Sequence, residues 1–217
     1  NSKQRRIPVS LDAPIFTLTH AMGFKGVLGG EYSFNRTEAS VWKRFWLPSS
    51  WGKIDCSIKA GAEWNTVPFP LLILPEANLS YITQRETFNL INNMEFLNDR
   101  FASVSLSYDM NGKLFNRIPL IKNLKWREMF RVRALWGTLT DKNNPFKSSN
   151  PDLFRFPMRD GKFTSFVMDP KIPYVEASVG IYNIFKLLHI EYVHRFTYRD
   201  NPGINKNGVR FMVLMAF

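Results

Sequence analysis

The residues of this chain whose types could do chemistry are three histidines, one cysteine, many serines and a set of carboxylates carried on alternating runs. A metal bound by His and Cys needs those ligands to converge on one point. His189 and His194 lie in one extended run with opposite parity, so they face opposite ways, and His20 is remote from both. Cys56 stands alone, which excludes an internal disulfide framework and a Cys-rich zinc site. Nucleophilic hydrolysis would need a serine on a sharp strand-to-helix elbow, and no such sequence is present. Glu63, Glu95, Glu176 and Glu191 could work as paired acids. Each, however, sits on the polar side of an alternating run beside available Lys or Arg, where ion pairing is the simpler role. No enzyme and no cofactor are expected.

The cations carry more information. The formal charge is +11, which invites a nucleic-acid partner. The basic residues are nevertheless spread through alternating segments, with no Gly-rich or Cys/His module to organise them, so no nucleic acid is expected. Arg127, Arg131 and Arg133 share one side of WREMFRVRALWGTL, opposite Phe130, Val132, Ala134 and Trp136. Three arginines at period two do not fit a dry sandwich core; they fit a wet lumen or a solvated outer face. Lys59, Arg195 and Arg210 occupy the same kind of position in their own runs. Lys59, Glu63, Glu95, Arg127, Arg131, Arg133, Glu176, Glu191, Arg195 and Arg210 are therefore the candidate lumen-facing charges.

The elements that must position them are strands. The end of the chain, GVRFMVLMAF, sets Val209, Phe211, Val213, Met215 and Phe217 on one side at period two. A tilted strand of about this length crosses the hydrocarbon of a bilayer, and a terminal aromatic suits an interfacial girdle. Soluble antiparallel sheets alternate too, but this pattern recurs along the chain. Runs at 14–24, 31–47, 53–64, 88–96, 100–110, 126–139, 174–185, 189–198 and 208–217 make about nine strands, most with one apolar and one polar side. The register of 31–47 is open, because Trp42, Phe45 and Trp46 occupy both parities; 88–96 and 100–110 read as a hairpin. Residues 65–86, 111–125 and 141–172 are irregular, the second with room for a helical turn near Pro119. No stretch approaches the roughly 20 apolar residues of a spanning helix. Aromatics make up 15% of the chain, and the mean hydropathy is −0.21, compatible with strands that face lipid on only one side. The fold class expected is all-β: an antiparallel transmembrane β-barrel, with residues 1–13 as a connector and 14–217 as the C-terminal portion of a larger barrel.

Long runs carry a resemblance. VPFPLLILPEANLSY, FNLINNMEFLNDRFAS, NGKLFNRIPLIKNLKWRE and YVEASVGIYNIFKLLHIEYVHRFTYRDNPG resemble a family of Bacteroidota outer-membrane proteins of unknown function. In that family a carboxypeptidase-regulatory-like domain precedes a long middle region and a C-terminal barrel. The resemblance implies a larger parent protein and no peptidase activity. The last three strands also resemble the end of the BamA/TamA outer-membrane superfamily, whose barrels insert or export proteins. Its Val-Arg-Gly-aromatic motif is absent: Val209-Arg210-Phe211 lacks the glycine and lies in a strand. Insertase activity is therefore not carried over.

The expectation that follows is a non-enzymatic barrel in the outer membrane of a Gram-negative bacterium. Its role would be accessory or scaffold subunit of an envelope assembly or export machine, and its partners outer-membrane lipid, lipopolysaccharide and other assembly or export proteins. The alternative is a pore with a basic lumen. With the C-terminus periplasmic and nine strands, residues 65–86 and 111–125 fall on the periplasmic side, against the rule of short periplasmic turns.

Overall fold

The computed structural model describes residues 13–84 and 86–213. Its strands are β1 (Ile15–Gly23), β2 (Phe34–Trp46), β3 (Lys53–Glu63), β4 (Arg100–Asp109), β5 (Arg127–Thr138), β6 (Met158–Arg159), β7 (Lys162–Phe163), β8 (Tyr174–Ile184), β9 (Leu188–Arg195) and β10 (Asn207–Val213). The fold is all-β. Eight strands form one antiparallel meander in the order β1-β2-β3-β4-β5-β8-β9-β10, while β6 and β7 make a small hairpin inside the β5–β8 connection. A one-turn helix, α1 (Pro119–Lys122), lies between β4 and β5, with proline in its first turn, where its missing N–H costs nothing.

The long runs form strands because their alternation gives each one an apolar and a polar side, and the pairing keeps like sides together. Direct partners such as Val41, Ile58, Val104 and Ala134 share one face; Ser57, Ser105, Arg133 and Glu176 share the other. The pairing also fixes β2. Trp42 and Trp46 stand on the polar side, with the Arg44 guanidinium over both rings, while Val41 and Phe45 stand on the apolar side.

Residues 88–96 are not a strand, which corrects the sequence expectation. The amides of Asn89 and Leu90 donate to Glu176, the amide of Asn92 donates to Glu95, and Met94 takes a left-handed φ of 59°. Side chains there capture the backbone groups that a hairpin ladder would have used.

Losing that strand reorders the rims. Residues 47–52, 110–126 and 185–187 connect strands at one rim, the one β10 runs towards. Residues 24–33, 64–99, 139–173 and 196–206 lie at the other. Two short connections, 47–52 and 185–187, thus lie at a turn rim and the two longest at a loop rim; residues 65–86 leave the rim on which nine strands placed them, while 111–125 stay there.

The sheet curls about its polar face. A cavity of about 650 Å³ is lined both by Ile15 and Thr17 of β1 and by Met212 of β10. Among the described residues no pairing joins β1 to β10, so the sheet is not closed. One row of direct partners, Lys43, Cys56, Leu106, Val132, Ala177, His194 and Asn207, begins near the turn rim in β2 and ends at the loop rim on the first residue of β10. Such stagger accompanies the strand tilt of a curled sheet.

The apolar core lies inside the curl, at the loop rim. Phe88, Ile91 and Phe96 of the β3–β4 connection pack with Met168 against Leu135 and Tyr174 of the sheet. A second cluster joins Val67, Leu72 and Leu97 to Phe156.

Candidate functional site

On the inner face the candidate charges come together in pairs. Arg131 of β5 and Glu191 of β9 approach to 2.9 Å, and the Ser178 hydroxyl also donates to Glu191. Arg133 donates to Glu176 at 3.2 Å. Glu176 further accepts the amides of Asn89 and Leu90 and the Tyr174 hydroxyl, so one carboxylate joins β5 and β8 to the β3–β4 connection. Arg195 donates to both oxygens of Glu95, at 3.0 and 2.6 Å, and lies over the Tyr174 ring at 4.8 Å. Its remaining donors meet the carbonyls of Leu90, Thr197 and Tyr198. Arg131, Arg133, Glu176, Glu191, Arg195 and Glu95 are all buried. A buried ion is tolerable only when its partner and hydrogen bonds replace water, and here they do.

The other candidates occupy different settings. Lys59 reaches Glu76 at 3.2 Å and Glu86 at 3.0 Å, both in the β3–β4 connection. Glu63 is buried at the end of β3, accepts the amides of Asn35 and Asn65, and lies 3.7 Å from Arg36. Arg127 is exposed at the turn rim, over the ring of Tyr182 at 5.9 Å. Arg210 stands opposite Glu191 in the ladder but donates to the Asn89 carbonyl, because Arg131 and Ser178 occupy that carboxylate. Glu95, expected on a strand, lies in the connection and reaches the inner face from there.

Sequence reasoning missed Asp99. It is fully buried, accepts from Thr140 through the amide and the hydroxyl and from the Asn143 side chain at 2.9 Å, and so ties the β3–β4 connection to the β5–β8 connection. Its only sequence signal is its place in an Asn-Asp turn dipeptide. Beside this region the Tyr198 hydroxyl donates to the Ile172 carbonyl at 2.6 Å, and burial pushes its phenol above the ordinary value.

The opposite face reverses the usual distribution of polarity. Ile58, Leu106, Phe130, Val132, Val179, Ile190, Tyr192, Val209, Phe211 and Val213 are all substantially exposed, and Val132 keeps 45% of its surface. From Phe130 to Trp136 of β5 the alternation is unbroken: Arg131 and Arg133 are 6% and 2% exposed, while Val132 between them faces out. Aromatic residues flank this belt, with Phe45 and Phe185 towards the turn rim and Phe24, Trp64, Trp136 and Phe196 towards the loop rim. Val209, Phe211 and Val213 belong to it; Met215 and Phe217 lie outside the described residues.

Chemically the arrangement holds segments in place. The inner carboxylates that sequence reasoning offered as acids are each occupied by cations, hydroxyls or amides. Among the described residues no three His, Cys, Asp or Glu side chains group as a metal site would require.

A family model described as the C-terminal domain of a family of unknown function (DUF5686) matches residues 1–146, a span that includes β1 to β5. No curated protein matches the chain.

Proposed function

The chain belongs to this family of unknown function, as its C-terminal domain, and from that premise we propose that it is part of a non-enzymatic outer-membrane β-barrel serving as a scaffold in an envelope assembly or export machine. The observation that carries the membrane reading is the inversion of polarity, with an exposed apolar belt outside and buried ion pairs inside. Soluble monomers rarely expose a large contiguous apolar patch to water. In a bilayer it is the lipid-facing surface, and the flanking aromatics sit at the two interfaces. Among the described residues the β1 edge then requires a partner, since lipid cannot satisfy unpaired backbone groups, whereas the β10 edge is partly covered from within, where Phe211 exchanges backbone hydrogen bonds with Tyr81 and Thr83. The two short connections, 47–52 and 185–187, fit a periplasmic turn rim, and the two longest connections fit the outside.

A scaffold is favoured over an open pore because the β3–β4 connection is fastened inside the curl. Glu176 holds its amides, Arg195 holds its Glu95, and Lys59 holds its Glu76 and Glu86. Mild-detergent purification of the full-length protein, with mass spectrometry and planar-bilayer recording, tests this reading. The expected result is stoichiometric recovery with other outer-membrane assembly or export proteins and no steady conductance. Recovery alone, with an anion-preferring conductance abolished by Arg131→Glu, would favour the pore instead.

A further inference from the structure

The β4–β5 connection is long for a turn rim, and four of its apolar residues are exposed. Leu114, Ile118, Leu120 and Leu124 are 41%, 45%, 84% and 49% exposed, and Lys113, Arg117, Lys122 and Lys125 alternate with them. These exposed side chains sit on a fixed backbone. The Leu114 amide donates to Glu128 at 2.6 Å, the Asn183 side chain donates to the Lys125 carbonyl at 2.7 Å, and successive turns are closed by hydrogen bonds from Asn116 to Lys125. Lys113 donates to the Ser49 carbonyl at 2.9 Å and lies over the Trp51 ring.

Glu128 fixes where the segment sits. It shares its parity in β5 with Phe130 and Val132, yet it is buried. The connection therefore covers the outer face just beyond the turn-rim edge of the apolar belt. We propose that residues 113–125 are an interfacial anchor lying in the headgroup layer of the leaflet at that rim. Leu114, Ile118, Leu120 and Leu124 enter the acyl boundary, and the exposed Arg117, Lys122 and Lys125 meet the phosphates of anionic phospholipid. Two observations select lipid as the occupant: continuity with the belt, and the interleaving of cations with leucine and isoleucine. Elements that lie in the interface plane, and juxtamembrane segments drawn to anionic headgroups, combine these features. The inference rests on the membrane reading above and adds to it the depth and lipid preference of one segment.

Site-directed fluorescence tests it. The full-length protein in a Cys56→Ser background is labelled with an environment-sensitive probe through Leu120→Cys, Val132→Cys or Asp152→Cys. Each variant is folded into phosphatidylcholine vesicles with or without phosphatidylglycerol, some containing brominated lipid. Quenching at 120 and 132 but not at 152 is expected, with Lys122→Glu/Lys125→Glu reducing quenching at 120 chiefly in the anionic vesicles. Quenching at 132 with a water-like probe at 120 would overturn the anchor and leave the membrane reading intact. A water-like probe at 132 would overturn both. Equal loss in the two vesicle types would remove the anionic headgroups, and a probe at 120 shielded only when other envelope proteins are added would replace lipid with a protein partner.

Discussion

Arg195 and Glu95 illustrate how a charge is kept inside this fold. The guanidinium meets the carboxylate through two nitrogens, at 3.0 and 2.6 Å, and its other contacts are carbonyls and the faces of Tyr174 and Phe96. Removing Arg195 leaves the buried Glu95 without a counter-charge, although the Asn92 amide and the Asn201 side chain still donate to it, so Arg195→Ala should destabilise the fold by about 3–5 kcal/mol. Urea titration of the protein folded into vesicles would measure it. The double variant Arg195→Met/Glu95→Leu should recover much of the loss, because it leaves no orphaned charge. A loss as large in the double variant would show that packing and the hydrogen bonds to the Leu90, Thr197 and Tyr198 carbonyls, not the charge pair, carry the effect. At this scale the sequence was informative wherever charge alternated with apolar residues, as in Arg131-Val132-Arg133. It could not show which partner each charge would take. Arg210 is the clearest case: its ladder neighbour is Glu191, but Arg131 reaches that carboxylate from two strands away.

Elements differ in how plainly their residues announce them. Strands β3, β4, β5, β8 and β9 follow directly from period-two alternation. Residues 88–96 carry a similar alternation and form no strand, because Glu176 and Glu95 claim their amides. Those carboxylates are distant in sequence or sit within the segment itself, so periodicity cannot see the competition. Register in β2 was illegible for a related reason: Trp42 and Trp46 look like core or lipid-facing residues but are held inward under Arg44. The β2–β3 turn offers a sharp test of local geometry. Gly52 has φ of 88°, and a Cβ there would lie 1.8 Å from the Asp109 carbonyl oxygen. The left-handed backbone alone costs a side chain about 1–3 kcal/mol, so Gly52→Ala should lose at least that much stability in the same titration. Gly26, whose φ is also positive but whose Cβ would meet nothing, should lose less when changed to alanine. Equal losses would mean that contact with Asp109 contributes nothing.

For the whole molecule, the question is which solvent the apolar belt meets. The curl, the stagger of paired rows and the separation of shorter connections from the longest ones follow from one meander of staggered strands. The all-β class and the two-sided strands were legible in the sequence; the way long connections fold into the curl was not, because it depends on buried pairs that join residues about a hundred positions apart, as Arg195 does with Glu95. The central claim is that the exposed side of those strands faces lipid, and substitution at paired depths tests it most directly. Val132→Arg places a charge on the outer belt, whereas Ser57→Arg places one beside the inner cavity. Folding free energies of both variants in phospholipid vesicles should differ: Val132→Arg is predicted to cost about 2–4 kcal/mol, and Ser57→Arg clearly less. A Val132→Arg variant as stable as the parent, or one that folds without lipid or detergent, would contradict the account.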